Sequence, residues 1–455
     1  MKRLIDTLKN IWKIEELRKR ILVTLGLILV YRIGAFIVLP GVDAAKISAG
    51  NPDNPGDIVG LINMFTGGAF KAASIFALGI MPYITASIVI QVLGFAVPYF
   101  QRLQTKEGES GRKKITQITR ILTVFITLVQ GSAYLTMIKS QGAIAANVSE
   151  PIFWFSNIII LMTGTVFAMW LGERITERGV GNGVSILILI GIIVSLPAAF
   201  ITEFSSKIGS NGGPIAFILE MVFLFLVVLA TVMITQAIRR IPIQFAKRMV
   251  GRAAGHTPVA GARDFVPIKL NASGVMPIIF AQALMMLPSM LGNLFTKTGE
   301  APSNFVMALS DFTSVPYNII YFILIVLFTY VYTALIVDPK QYAEYLKHQN
   351  AFIPGVTPGR STAEFIDTIT SRITLPGSIF LGIIAIMPAF ASVFGVHTAF
   401  AYFFGGTSLL ILVGVALDTL QQIESYLLMR KYDGLIKSGK LQGRSSGLQG
   451  IGASM

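Results

Sequence analysis

INMFTGGAF, residues 62 to 70, decides how the rest of this chain is read. It is too apolar for an ordinary solvent loop. It is also too short and too glycine-rich to cross a bilayer, which takes roughly 20 apolar residues in helical form. Long apolar segments flank it on both sides, Ile21–Pro40 before and Ser74–Pro98 after. Counting it as a span would reverse the parity of every later segment. Leaving it out makes it a half-apolar piece lodged between two membrane helices.

Of the 455 residues, 53% are hydrophobic and 13% charged, about half the charged share of an ordinary soluble domain. The apolar residues come in blocks of spanning length, separated by charged or Gly/Pro-rich connections. This pattern predicts a polytopic membrane protein. Cysteine is absent, which excludes disulfides and thiolate metal sites, and the three histidines (His256, His348, His397) form no local ligand pair. The first twenty residues read as uncleaved, because they lack an early apolar core and a small-residue cleavage site. Leu4, Leu8, Ile11 and Trp12 share one helical face there, so residues 1–20 are expected to form a basic amphipathic helix on the membrane surface; a disordered basic leader is the alternative.

Eight further spans are expected at Ile115–Ile138, Ile152–Leu171, Gly183–Ile201, Pro214–Ala237, Ser273–Leu294, Pro316–Val337, Ile373–Phe394 and Ala399–Gln421, for ten in all. The basic residues test that count. Residues 1–20, the connections after the second, fourth, sixth and eighth spans, and the tail hold nearly all the Lys and Arg. The opposite connections hold only Lys46, Lys71, Lys139, Lys207 and Lys297. By the positive-inside rule both termini are cytoplasmic. The formal net charge of +14 therefore sits on the cytoplasmic face. Anionic lipids account for juxtamembrane charge. They account less well for the length of the loops at about 238–272 and 338–372, which suit docking of a ribosome or an acidic protein.

The membrane interior offers little chemistry. Arg32, Glu220 and Asp418 all lie within snorkelling reach of an interface, and the role of Glu220 is not legible in the sequence. Gln91, Gln130 and Gln282 are the type of polar residue that usually bonds a neighbouring helix. No HExxH, Walker A or GxSxG motif occurs. Prolines at Met81-Pro82, Met276-Pro277 and Leu287-Pro288 predict kinks.

Several stretches in fixed order now carry a resemblance: INMFTGGAF, IFALGIMPYITASIVIQ (75–91), EGESGRKKI (107–115), WLGERITERGVGNGVSI (170–186), FIPGVTPGRSTAEFID (352–367) and FGGTSLL (404–410). Together with ten spans in this orientation, they resemble the SecY family of channel subunits of the Sec protein translocase. The resemblance runs from Leu17 to about Tyr432. It implies an all-α polytopic membrane protein with ten transmembrane helices in two pseudo-symmetric inverted halves, residues 21–205 and 206–430, and a cytoplasmic tail from 431 to 455. The repeat itself is not detectable in the sequence.

On that resemblance residues 57–72 form a short re-entrant plug helix. The residues agree: Ile58, Leu61, Ile62 and Phe65 give an apolar face, Asp57 and Asn63 favour a helix start or a turn, and Gly67 and Gly68 break the helix. For the isolated segment an inert interfacial loop is an equal alternative. The resemblance also places a ring of aliphatic side chains at the waist, on Ile80, Ile84, Ile188, Ile279 and Ile411. Such a ring makes no specific hydrogen bond, so it passes any peptide and can dewet against ions. A lateral gate would open between spans two, three, seven and eight, with Gln91, Gln130 and Leu287 along it. Arg239, Arg240, Lys247, Arg248, Arg252 and Arg360 would dock the SecA ATPase or the ribosome. The family's usual Arg in the last loop is Thr357 here, and a single Arg252 stands where paired basic residues are common. The implied partners are SecE, SecG, SecA, the ribosome, signal peptides and nascent chains, with SecDF, YidC and anionic lipids besides. No catalytic residue, metal or cofactor is implied, and the implied location is the bacterial plasma membrane. A secondary transporter is the competing class. It needs a compact mid-membrane polar site and gives the plug segment no task.

Overall fold

A computed structural model describes residues 12, 14–43, 46–47, 58–105, 107–144, 149–208, 213–245, 263–282, 284–285 and 311–437. The elements are α1 (Glu15–Gly34), α2 (Ile58–Phe65), α3 (Met81–Ala96), α4 (Pro98–Thr105), α5 (Gly108–Ser140), α6 (Glu150–Arg178), α7 (Gly183–Ile208) and α8 (Gly213–Gln236). There follow β1 (Ile238–Phe245), β2 (Arg263–Lys269), α9 (Val315–Ile336), α10 (Pro339–His348), β3 (Ala351–Phe352), α11 (Arg360–Val393), α12 (Thr398–Ala401) and α13 (Gly406–Lys437). Residues 276–282 are also helical. Among the described residues seven helices are long and apolar enough to cross a membrane, and Met81–Gly94 is a shorter apolar helix.

The helices pack through small residues and turn large apolar ones outward. On α5 the buried positions Thr119, Thr123, Thr127 and Gly131 recur every fourth residue and form one stripe. Each threonine donates to the carbonyl one turn back, to Ile115, Thr119 and Thr123 at 2.7–2.8 Å. The hydroxyls are thus satisfied without water, and the helix can approach its neighbours closely. Gly131 faces Leu161 of α6. On α6, a Cβ at Gly164 would collide with the carbonyl oxygen of Ile75. The outer faces carry Ile121 and Phe125 on α5 and Ile215 and Leu219 on α8, all largely exposed, as expected of side chains that meet hydrocarbon rather than water.

Several expected boundaries move. The first span is helical from Glu15 to Gly34 rather than 21–40, so its helix takes in residues 15–20; Leu4, Leu8 and Ile11 of the expected surface helix lie outside the described residues. Glu15 and Glu16 in its first turn and Arg32 in its last suit the helix dipole. The second span is helical only from Met81, because residues 66–80 run as successive turns, with Gly67, Gly68 and Gly79 at positive φ. The ninth span begins at Arg360 and continues as one 34-residue helix. The seventh is described only at 273–282 and 284–285.

The all-helical frame also carries a small sheet that the sequence reading did not anticipate. β1 pairs antiparallel with β2, from Ile238↔Lys269 to Gln244↔Arg263, and with β3 at Gln244↔Phe352. Ile241 and Ile243 alternate inward and pack with Ile268, Leu346, Ile353 and Ile366. The described parts of the two long basic connections therefore pair in one sheet.

At the opposite end of α8 an ionic cluster accounts for Glu220. Lys207 of α7 contacts Glu220 of α8 at 2.7 Å and Glu203 at 3.6 Å. It also donates to the carbonyl of Gly395 at 2.9 Å, while the His397 N–H donates to Glu203 at 2.8 Å. Glu203 is fully buried. The cluster ties the end of α7, the start of α8 and the turn before α12 together.

Candidate pore and gate

The centre of the molecule is built from four elements that are far apart in sequence. Ile80 is the N-cap of α3, with Pro82 in the first helical turn, where its missing N–H costs nothing. Ile84 lies one turn on, on the same face. α7 supplies Ile188, the helical stretch 276–282 supplies Ile279, and α13 supplies Ile411. Ile80, Ile188 and Ile411 are buried in one apolar cluster, and the half-buried Ile84 and Ile279 pack against it. α13 can start beside the cluster because Gly405 and Gly406 lie against α11; a Cβ on Gly405 would collide with the carbonyl oxygen of Ile384.

α2 packs directly on this cluster. Met64 and Phe65, at its C-terminal end, are buried in it. Met64 also lines a cavity of ≈ 40 Å³ shared with Gln282, Phe312, Tyr317 and Tyr402. The helix ends in a compact set of bonds. The Gly68 N–H donates to the Asn63 carbonyl at 2.9 Å, the Lys71 N–H to the Asn63 side-chain oxygen at 3.0 Å, and the Phe70 N–H to the Thr66 hydroxyl at 3.2 Å. Asn63 thus closes the helix rather than starting it. Asp57 lies outside the described residues, and Ile58, Leu61 and Ile62 are in α2.

The seat beneath α2 is α7. A Cβ on Gly191 would collide with the Phe65 carbonyl oxygen, and one on Gly67 would come within 3.0 Å of the Gly191 Cα. From the other side Arg32 of α1 donates to the Gly67 carbonyl at 3.0 Å. Its guanidinium lies over the Phe36 ring, 5.3 Å from the centroid.

A second seam joins α3 to the C-terminal part of the chain. Ile88, Phe280 and Tyr332 are buried together, with Ile84, Ile279 and Phe328 packed around them. The Phe280 and Tyr332 rings are 4.9 Å apart. The Tyr332 hydroxyl donates to the Gln91 side-chain oxygen at 3.0 Å, and Gln91 in turn donates to Ser87 at 3.3 Å. Gln130 is half-buried on α5 and makes no hydrogen bond to this seam among the described residues. Leu287 lies outside them. Gln282 behaves as its type suggests, accepting from Thr407 of α13 at 2.9 Å inside the core.

Of the expected docking residues, Arg239 and Arg240 lie exposed on β1, and Arg240 stacks on Phe265 of β2, 4.8 Å from the centroid. Arg360 opens α11, highly exposed and paired with Glu364 at 3.0 Å. Lys247, Arg248 and Arg252 lie outside the described residues. No group of three or more His, Cys, Asp or Glu side chains is assembled for a metal among the described residues.

Sequence reasoning set Arg32 aside as a snorkelling residue and missed Met64, Gly191, Phe280 and Tyr332. For Arg32 a signal existed: an arginine in a membrane helix without a carboxylate nearby in sequence. A lone Gly191 in an apolar helix gave none.

Comparison with known proteins points one way. The SecY family model matches residues 74–420. Two proteins named protein translocase subunit SecY are each 41% identical. That of Streptomyces coelicolor aligns over 437 residues, 94% of this chain and 98% of that protein. That of Thermus thermophilus aligns over 449 residues, 96% of this chain and all of that protein. Among solved structures, one described as a protein-conducting channel superposes with a TM-score of 0.63 at 18% identity, covering 92% of this chain and 94% of that chain. The channel of a canine ribosome–channel complex from the endoplasmic reticulum superposes with 0.60 at 17%, with the same coverage. The fold is shared with both.

Proposed function

Because the chain belongs to the SecY family, we propose that it is the central protein-conducting subunit of a bacterial Sec translocon. It passes unfolded secretory chains across the plasma membrane and releases apolar segments sideways into lipid. The single observation that carries this is the convergence of Ile80, Ile84, Ile188, Ile279 and Ile411, from four separate elements, on the cluster that α2 covers. A ring that lacks polar groups reads no sequence and so accepts any chain, and it resists wetting when empty. α2 is the plug, with Met64 and Phe65 seated in the cluster.

The seam from Gln91 and Ile88 to Phe280 and Tyr332 is the closed lateral gate, with Gln130 and Leu287 along its expected path. It is mostly apolar, so an apolar signal helix can replace one side of it without leaving polar groups exposed to lipid. Both termini and the sheet face the cytoplasm, by the distribution of Lys and Arg. The sheet presents Arg239, Arg240 and Arg263 to an RNA or acidic protein surface, which suits a ribosome or the SecA ATPase. Chain elongation or ATP hydrolysis by these partners supplies the work, and the channel has no reaction centre of its own. SecE and SecG complete the complex, and SecDF, YidC and anionic lipids act around it. A small-solute transporter gives no role to α2 or to the sheet.

The test is a single cysteine at Ile84, in a chain that has no cysteine. The protein is reconstituted with its small partners, and a secretory chain with one cysteine is stalled partway. A disulfide that forms only with a signal-bearing chain is the expected result. Translocation without any crosslink removes Ile84 from the pore, and no translocation with a working motor removes the channel reading.

A further inference from the structure

Arg32 is the one buried-side contact of the plug that the channel reading leaves without a task. It sits half-buried in the last turn of α1, and it forms no ion pair among the described residues. An arginine at the end of an apolar helix is held in place where it has a specific partner. Here the partner is the carbonyl of Gly67 at 3.0 Å, two residues beyond the C-terminus of α2. That end of a helix carries the negative pole of its dipole and unsatisfied carbonyls, so a cation is favoured there. Gly67 has a φ of 62°, and a side chain on it would strike both Arg32 and the Gly191 backbone. The plug is therefore gripped between a charge on α1 and a backbone face on α7, and Gly67 is the residue that fits both.

We propose that Arg32 is the positioning residue that latches the plug shut, and so sets how apolar a signal must be to open the channel. This rests on the channel reading above. The latch is built to release. One charge-assisted bond is strong enough to bias the closed state by tenfold or more, roughly. It is also a single contact, so lifting α2 breaks it in one step. Nothing else need rearrange on α1, because the guanidinium keeps its place over Phe36. The seat on α7 does the complementary work: it sets where α2 rests by backbone contact at Gly191.

The experiment uses the full complex in proteoliposomes and reads resting ion conductance, with translocation of a signal-bearing chain as control. Arg32→Met is expected to raise resting conductance by about tenfold or more and to pass chains with weakened signals, while Arg32→Lys stays near wild type. A second readout guards against poor assembly: the rate at which a membrane-impermeant thiol reagent labels Thr66→Cys. Thr66 is 1% exposed in the closed state, so its labelling is expected to accelerate in the Arg32→Gln background. Wild-type-like tightness and labelling in Arg32→Met and Arg32→Gln would overturn the latch while leaving the channel intact. Equal leakage from Arg32→Lys and Arg32→Met would also overturn it, since packing alone would then hold the plug. Failure of the wild-type complex to translocate would instead overturn the channel reading.

Discussion

Removal of one hydroxyl from the gate seam gives a quantitative test. Tyr332→Phe keeps the ring, and with it the 4.9 Å contact to Phe280, but deletes the donor that reaches Gln91 at 3.0 Å. Side-chain hydrogen bonds between membrane helices are worth about 0.6 kcal/mol on average and up to about 1.7. The bond joins α3 to α9 and breaks when these helices part, so its whole value is lost on opening. A loss of about 1 kcal/mol shifts the closed-to-open ratio roughly fivefold. The expected result is that a chain with a marginally apolar signal enters about fivefold faster, whereas one with a strong signal, not limited by the gate, is unchanged. The assay is the initial translocation rate into proteoliposomes for a graded series of signals, run as a double-mutant cycle with Gln91→Leu. The double variant is expected to match the singles, because both delete the same bond. Fully additive effects, or slower entry of the marginal signal, would refute the seam as a gate.

Other perturbations follow from the same packing. Lys207→Met leaves the buried Glu203 and the half-buried Glu220 without their cation, which is expected to lower stability by about 3 kcal/mol; Glu220→Gln is expected to cost less, and thermal unfolding in detergent ranks the two. Gly164→Ala drives a methyl group into the Ile75 carbonyl, costing about 1–3 kcal/mol and lowering the same unfolding temperature. Ile80→Asn puts a polar group in the ring and is expected to raise resting ion conductance without changing assembly, read by planar-bilayer current. Arg239→Ala is expected to weaken ribosome or SecA binding and to flatten its salt dependence, read by sedimentation across a salt series.

The sequence alone called for long apolar helices, of which seven of spanning length stand among the described residues, and its loop charge assigns them a direction. Burial in lipid demands long apolar helices, and loop charge records which side each end faces, so both properties are written residue by residue. It also singled out residues 62–70 as a piece that cannot span, because length and glycine content are local. The proposed ring positions rest on resemblance, since one isoleucine in a membrane helix looks like any other; the structure adds that they share one apolar cluster. What the tertiary structure decided is who meets whom. Glu220 gained its meaning only when α7 and α8 came together around Lys207. Gln91 found Tyr332 across 241 positions of chain, and the two basic loops became one sheet. Arg32 and Gly191 meet the Phe65–Gly67 turn from two helices, a contact set by backbone approach. No periodicity or composition encodes it, because glycine is read in sequence as an absence and in the fold as a fit.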